Sequence, residues 1–543
     1  MHLILRVLAG LGFLVAALAS SAATYHVDPL QGDDAADGLS GPTAWRTLAR
    51  AERAELRAGD RLLLRAGVRH VGRLHFESLA GQPDAPIILG SYTSAGGDER
   101  APAMIDGKGM RAALSLKNSR HIRVENLVLT ADGGAPSGDM RCGVLVEVDR
   151  PGEFRGITLT RLHVKAVSFA NAGYVRSAAD VKTANGTERY GWGIRFIVPS
   201  GKPGVMRDVK VSDCVIERVD HTGLKLTAPA DGIRDVVVEN VIVSHSGGPG
   251  VQMSGVTGGR FSRLTVDHSG STADTRNWGR GSGLWTWQTN DVVIERSRFT
   301  NANGPGDSAG VHIDYHCRNV IVQYNYSANN AGGFCEILGN NHNCAYRYNI
   351  SVNDGHRVKG QEGAFQEGKI FWLSGYVGNR QKPTGPFNSY VYNNTIYVDE
   401  RIETKFTVAA SAQGVLVANN IFHVVGRTRR VASDQSKAEQ AETRAVPRAV
   451  VTNNLFLRVD TWPAGLGMAD ASPIIGDAGF AQPGGERLLD YVPGNAELVR
   501  DRGITITPLP GDKIGLKVGL AVTEDILGRP IKGAPDLGAI ELP

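Results

Sequence analysis

The sequence predicts an all-β solenoid, a chain wound into stacked coils of short parallel strands. Three observations predict it. Glycine makes up 67 of the 543 residues at ordinary hydrophobic content, roughly 12% against a usual value of about 7%. That excess points to many tight turns between short strands. Second, one short pattern recurs along most of the chain, at residues 123–129, 210–216, 237–243, 293–299, 322–327, 346–351, 392–396, 418–422 and 452–456. Neighbouring copies lie roughly 23 to 34 residues apart where no insertion intervenes, the range of stacked repeat coils. Third, apolar residues within each copy alternate before a polar, often Asn-containing, corner. A helical repeat would need three- and four-residue spacing, which the copies lack.

The leader comes first. Arg6 precedes an apolar run over residues 7–18, followed by Ala19, Ser20, Ser21, Ala22 and Ala23. A basic start, a short apolar core and small residues describe a secretory signal peptide cut near Ala23. The run is shorter than the roughly 20 residues that span a bilayer, and no second long apolar stretch follows. Residues 1–23 are therefore expected to be a leader and 24–543 one secreted or periplasmic solenoid domain. Such a compartment permits disulfides. Cys317, Cys335 and Cys344 are close enough in sequence for one pair to bridge, whereas Cys142 and Cys214 suit small hydrophobic core positions.

Many coils carry a second strand after a glycine: Gly223-Leu-Lys-Leu, Gly250-Val-Gln-Met, Gly283-Leu-Trp-Thr-Trp and Gly310-Val-His-Ile-Asp. Two or three short strands per coil of this length define a parallel β-helix. The Asn repeated at one corner is expected to stack as a hydrogen-bonded ladder. The segment after the leader reads Tyr25-His-Val-Asp-Pro, then Gly32-Asp-Asp, Gly38, Trp45-Arg-Thr-Leu and Ala58-Gly-Asp-Arg-Leu-Leu-Leu-Arg-Ala-Gly67. It resembles the opening segment of secreted right-handed parallel β-helix proteins of the pectate-lyase-like superfamily. Ala534-Pro-Asp-Leu-Gly-Ala-Ile-Glu541 resembles their closing strand. The resemblance implies a single-stranded right-handed helix with capped ends. It also implies a carbohydrate-active protein, since the superfamily holds polysaccharide lyases, glycoside hydrolases, epimerases and adhesins. Three insertions interrupt the coils, near 170–192, 360–387 and 427–449. The second, with Phe371, Trp372 and Tyr376, is expected to wall a groove, and the third to be a solvated, helix-compatible excursion.

Strand alternation places the candidate chemistry. With Leu224, Val251, Leu284 and Val311 pointing inward, Lys225, Gln252, Trp285 and His312 form one outward column. Thr227, Ser254, Trp287 and Asp314 form another. In Gly332-Gly-Phe-Cys-Glu-Ile-Leu-Gly339, inward Cys335 and Ile337 put Glu336 outside, above His312. Asp314 and Glu336 are then diagonal neighbours on adjacent coils, a carboxylate pair suited to glycosidic cleavage. Asp307 and His312 are expected to assist. Trp285 and Trp287 offer exposed apolar faces on which sugar rings stack.

Three further readings complete the set. His312, Asp314 and His316 alternate along one strand and could face a cation, but hydrogen-bonded substrate-binding or proton-transfer histidines are the commoner outcome, and His316 is expected to bind substrate. No metal or other cofactor is expected, with calcium as the alternative. His356, Arg357 and Lys359 suit contacts to an acidic sugar or, alternatively, the base and carboxylate clamp of a β-eliminating lyase. The formal charge of +4 with no basic stripe excludes a nucleic-acid partner. The expected partner is a polysaccharide or oligosaccharide. Hydrolysis is favoured, ahead of elimination and of non-catalytic glycan binding, and the oligomeric state is not written in the sequence.

Overall fold

The computed structural model describes residues 22–93, 101–132, 140–168, 191–270, 280–435 and 445–543. The leader up to residue 21, Trp278, which the sequence suggests as an extension of the Trp285 and Trp287 platform, and most of the 170–192 insertion lie outside the described residues. All the strand ladders are parallel, in one sheet of 26 strands and one of 12. The larger sheet is two ladders fused where the chain runs straight through the corner, at Ile122–Ala131 and Gly152–Val167. Each coil therefore contributes three faces, as in Ile233–Glu239, Ile242–Ser244 and Val251–Ser254. The inward residues fill one continuous core from Val27 to Leu466.

The corners explain the repeated Asn. The first bend of each coil places one residue in the left-handed region, among them Asn126, Asp213, Asn240, Arg296, Tyr348, Asn393, Asn419 and Asn453. Asn and Asp tolerate that conformation best, because a short polar side chain can bond locally. The residue after the bend points inward. It is aliphatic or Cys in early coils, Ser297 in the next, and becomes Asn325, Asn349, Asn394, Asn420 and Asn454 in later ones. Asn349, Asn394, Asn420 and Asn454 each accept the backbone N–H of the Asn one coil earlier, at 2.9–3.1 Å, Asn325 accepts that of Ser297 at 3.0 Å, and all five donate to a backbone carbonyl. The ladder satisfies buried backbone groups that the turn removes from the strand ladders.

The two ends differ. At the start, the Leu48–Ala51 helix, capped by Thr47, and the buried Trp45 close the first coil. At the far end Trp462 packs edge-on against Phe371, Phe406 and Phe422. The 534–541 segment is no closing strand. It belongs to a tail that runs back along the outside, over a row of tyrosines including Tyr324, Tyr348 and Tyr392. There Arg502 and Ile504 carbonyls accept from Asn453 and Asn419, Gly515 from Asn343 and Leu520 from Tyr392, while Glu524 pairs with Arg296. Cys317, Cys335 and Cys344 are buried free thiols, so the expected bridge among them is not formed. Two insertions are also smaller than expected. The 360–387 stretch contains a full rung, Lys369–Leu373, and 427–449 begins with the rung Thr428–Arg430. Among the described residues no helix is long and apolar enough to cross a membrane.

Replacing Asn394 by Ala removes the acceptor of the Asn349 N–H and the donor to the Tyr346 carbonyl. Because each stranded buried group costs about 1–3 kcal/mol, N394A should lose at least about 2 kcal/mol in denaturant unfolding. A loss below about 0.5 kcal/mol would mean that the ladder does not hold the corner.

Candidate active site

The coil-to-coil register sets the geometry. On the 12-stranded sheet Lys225 pairs with Gln252, Gln252 with Trp285 and Trp285 with His312, while Ile313 pairs with Ile337. Glu336 therefore stands next to His312 on the outward side, with Cys335 and Ile337 in the core. Asp314 follows the strand, one residue beyond Ile313. Asp307 comes from the turn before it. Asp307, His312 and Glu336 offer ligand atoms within 4.8 Å of one another.

The cluster is almost closed to solvent, with side-chain exposures of 1% for His312, 3% for Glu336, 5% for Asp307 and 9% for Asp314. Burial corrects two expectations. Trp285 is no exposed platform: its ring stacks on His312 at 5.5 Å, and its Nε1–H donates to Asp314 Oδ2 at 2.9 Å. The Asp314 and Glu336 carboxyls do not face each other freely. The imidazole stands between them, Nε2 at 3.9 Å from Asp314 and Nδ1 at 3.7 Å from Glu336.

Charge then separates the three acids. Burial, reinforced by the Asp307 charge, pushes the Asp314 carboxyl up to about 7. Glu336 is pushed well above the usual range by burial and then by Asp307. Burial would raise Asp307 too, but the Arg280 guanidinium, 2.7 Å away, with help from His312 and Arg357, holds it below the usual range. Burial lowers His312 to about 4, so its imidazole is neutral near pH 7. One ionised and one protonated carboxyl in one buried cluster is the arrangement that acid–base chemistry needs.

The loop after Gly355 fixes Asp307. Arg357 donates to the carbonyls of Gly304 and Asp307 at 3.0 and 2.9 Å, and to Gln366, whose side chain accepts the Asp307 N–H. Arg357 is thus a positioning residue, its donors used on backbone, and not a group presented to a sugar. Lys359 points away, half exposed, with its ammonium 2.7 Å from Asp434. His356 lies beside Arg357 and Lys405. Asp434, from the segment expected to be a solvated excursion, also holds the buried Lys369 at 2.8 Å, and Lys369 sits over the Trp372 ring. His316 faces the next corner, where Asn340 donates to its Nδ1 at 2.7 Å, so it does not join His312 and Asp314 around a cation.

The rim is aromatic. Trp287 meets Tyr315 edge-on at 5.8 Å, and Tyr315 meets Tyr376 at 5.7 Å, all three partly exposed. Phe365, 45% exposed, lies against Gly306 beside Arg280. Sequence reasoning missed Arg280, Gln366, Phe365 and Tyr315. Of these only Tyr315, adjoining the Asp314 strand, carried a usable signal.

The family model for the right-handed β-helix region matches residues 199–396. The chain is a right-handed parallel β-helix. A lacto-N-biosidase of Bifidobacterium longum subsp. longum is 25% identical over 96% of this chain, which spans 36% of that relative's length. The crystal structure of a lacto-N-biosidase of glycoside hydrolase family 136 from Eubacterium ramulus superposes on this β-helix with a TM-score of 0.54. It is 20% identical, over 74% of this chain and 68% of that one. The complex of XylC with xylose gives a TM-score of 0.51 at 11% identity, over 96% and 98%. Both structures share the β-helical fold.

An acid whose pKa is raised by folding takes up a proton on folding. Stability from Asp314 therefore falls as pH rises from about 4, the unfolded value, to about 7. At pH 8, D314N should be more stable than wild type by on the order of 1–4 kcal/mol, with the difference gone at pH 4. Parallel pH–stability curves for the two proteins would contradict the burial of this acid.

Proposed function

We propose that the β-helix is a secreted glycoside hydrolase acting on an oligosaccharide, with Asp314 as proton donor and Asp307 as the ionised carboxylate. The observation that carries this reading is the opposite displacement of two neighbouring carboxyls, one held ionised by Arg280 and one held protonated by burial. Asp314 gives its proton to the glycosidic oxygen as the bond to the anomeric carbon breaks. Asp307 attacks that carbon or takes a proton from the attacking water. His312 and Trp285 position Asp314, and Arg357 and Gln366 position Asp307. The partly exposed rings of Trp287, Tyr315, Tyr376 and Phe365 offer faces for the C–H surfaces of sugars. The relative's name, lacto-N-biosidase, supports glycan cleavage and an oligosaccharide substrate.

Glu336 takes a different part from the one its sequence position suggested. Buried beside a neutral imidazole, with its carboxyl pushed well above the usual range, it is the poorer choice for the ionised partner, and an amide can replace it. Elimination is the weaker reading, because the basic coil it requires is dispersed: Lys359 turns to Asp434 and Arg357 to backbone carbonyls.

The deciding assay incubates the protein with neutral and acidic glycans, following new reducing ends and the ultraviolet absorbance of unsaturated uronates. Reducing ends without absorbance are expected; both together would make the protein a lyase. D307N and D314N should each lower kcat about 10³-fold, within the usual range for acid–base groups, and E336Q less than about tenfold. If E336Q fell with D314N while D307N kept its activity, the pair would be Asp314 and Glu336.

The pH profile follows from the same charges. kcat/KM should be bell-shaped, with a basic limb near 7 from Asp314 and an acidic limb below the ordinary carboxylate range from Asp307. Arg280→Met removes the cation and should move the acidic limb upward, with a smaller upward move of the basic limb. An unmoved acidic limb would exclude Asp307 as the ionised group.

A further inference from the structure

Beyond Tyr315 the surface continues into a groove of about 560 Å³ at the corner between the third face of one coil and the first face of the next. Gln288 and His316 line its near side, one residue after Trp287 and two after Asp314. Asn290, Asp291, Arg318 and Asn340 are among its other lining residues. None of these belongs to the carboxylate cluster.

The groove is built by the same register that builds the cluster. Asn290 pairs with Arg318, Arg318 with His342 and His342 with Phe387, giving an outward column across four coils. The His342 ring lies over Phe387 at 4.8 Å and 25°, a partly exposed flat surface beside Arg318. A relay fixes the polar groups: Asn340 Nδ2 donates to His316 Nδ1 at 2.7 Å, and His342 Nε2 donates to Asn340 Oδ1 at 3.2 Å. Those bonds leave His316 Nε2 as a donor.

Charge decides the ligand class. Asp291 is neutralised by Lys517 from the tail at 2.7 Å and also accepts from Asn319 Nδ2 at 3.1 Å. Arg318 is exposed, and among the described residues its guanidinium makes no ion pair or hydrogen bond. The groove thus presents one uncompensated planar cation, with amide and imidazole donors and an aromatic surface beside it. A guanidinium binds a carboxylate through two parallel hydrogen bonds, and the rest suits sugar hydroxyls and C–H faces.

We propose that this groove is a further sugar subsite that takes a carboxylate-bearing residue, a hexuronate or a sialyl group, with Arg318 as its charge partner. It rests on the reading of Asp314 as the bond-breaking acid, which runs a bound oligosaccharide over Tyr315 into the groove.

The test uses D314N, in which a bound substrate survives, and three oligosaccharides with one neutral core: uncapped, capped by a hexuronate and capped by a sialyl group. Calorimetry should give at least tenfold tighter binding for one or both capped forms, and the stronger arm identifies the source of the carboxylate. Adding R318Q should abolish that preference, while adding R318K should keep part of it. Equal affinity for capped and uncapped forms, or a preference that survives R318Q, would overturn the subsite. Hydrolysis by the wild-type protein is followed in parallel. An Arg318-dependent preference without any cleavage supports the groove as a binding site and removes the hydrolase reading. Cleavage without the preference does the reverse.

Discussion

Everything at the site depends on the registration of one coil upon the next. Parallel strands about 4.8 Å apart exchange backbone hydrogen bonds along three faces, and a left-handed residue at the first bend of each coil sets where the second face begins. Side chains alternate with period two, so a slip by one residue would send His312 and Glu336 into the core and Ile313 and Ile337 to the surface. The Asn ladder pins that bend from inside through the coils that carry His312, Glu336 and Trp372. A chemical cluster drawn from residues 280, 307, 312, 314, 336, 357 and 366 is thus a consequence of backbone pairing, with no covalent cross-link involved.

Within that frame, the site is an electrostatic arrangement set in a dry place. Three carboxyls share a small buried volume, where solvent screens their charges little. Ionising all three would be costly at these distances, so the surroundings choose. Arg280 reaches one of them and leaves the other two to burial. Lys369 and Lys405 stand farther out and hold the Gly355 loop through Asp434, Glu367 and the Arg357 carbonyl. The same charged groups thereby shape the wall and bias the proton.

Much of this was legible in the sequence because period-two alternation converts directly into faces. The columns Lys225–Gln252–Trp285–His312 and Thr227–Ser254–Trp287, the outward register of Glu336 and the Asn ladder all follow from it. What escaped was whatever depends on chain folding over the strands. Alternation puts Trp285 outside the sheet, but only the turn carrying Asp307 and the strand end carrying Asp314 make that outside an interior. Arg280 and Gln366 lie in turn-rich segments without a repeat, so no neighbour in the sequence points to their partner. Lys359 looked like a site residue for the opposite reason: it is close in sequence to Arg357, and Asp434, which draws it away, lies 75 residues later.

The tail that returns over the outer tyrosines has a consequence for how such a molecule can change. A solenoid is ordinarily open-ended, and coils can be gained or lost by duplication because each touches only its neighbours. Here the strap is fastened at successive levels, from Asn453 back to Arg296 and Asp291. Its length is matched to the number of coils beneath it. An added or deleted coil in that stretch would put every fastening beyond it out of step, so the strap acts as a ruler. Variation in this half of the molecule is channelled into the loops, while the coils before residue 290 stay free to change in number.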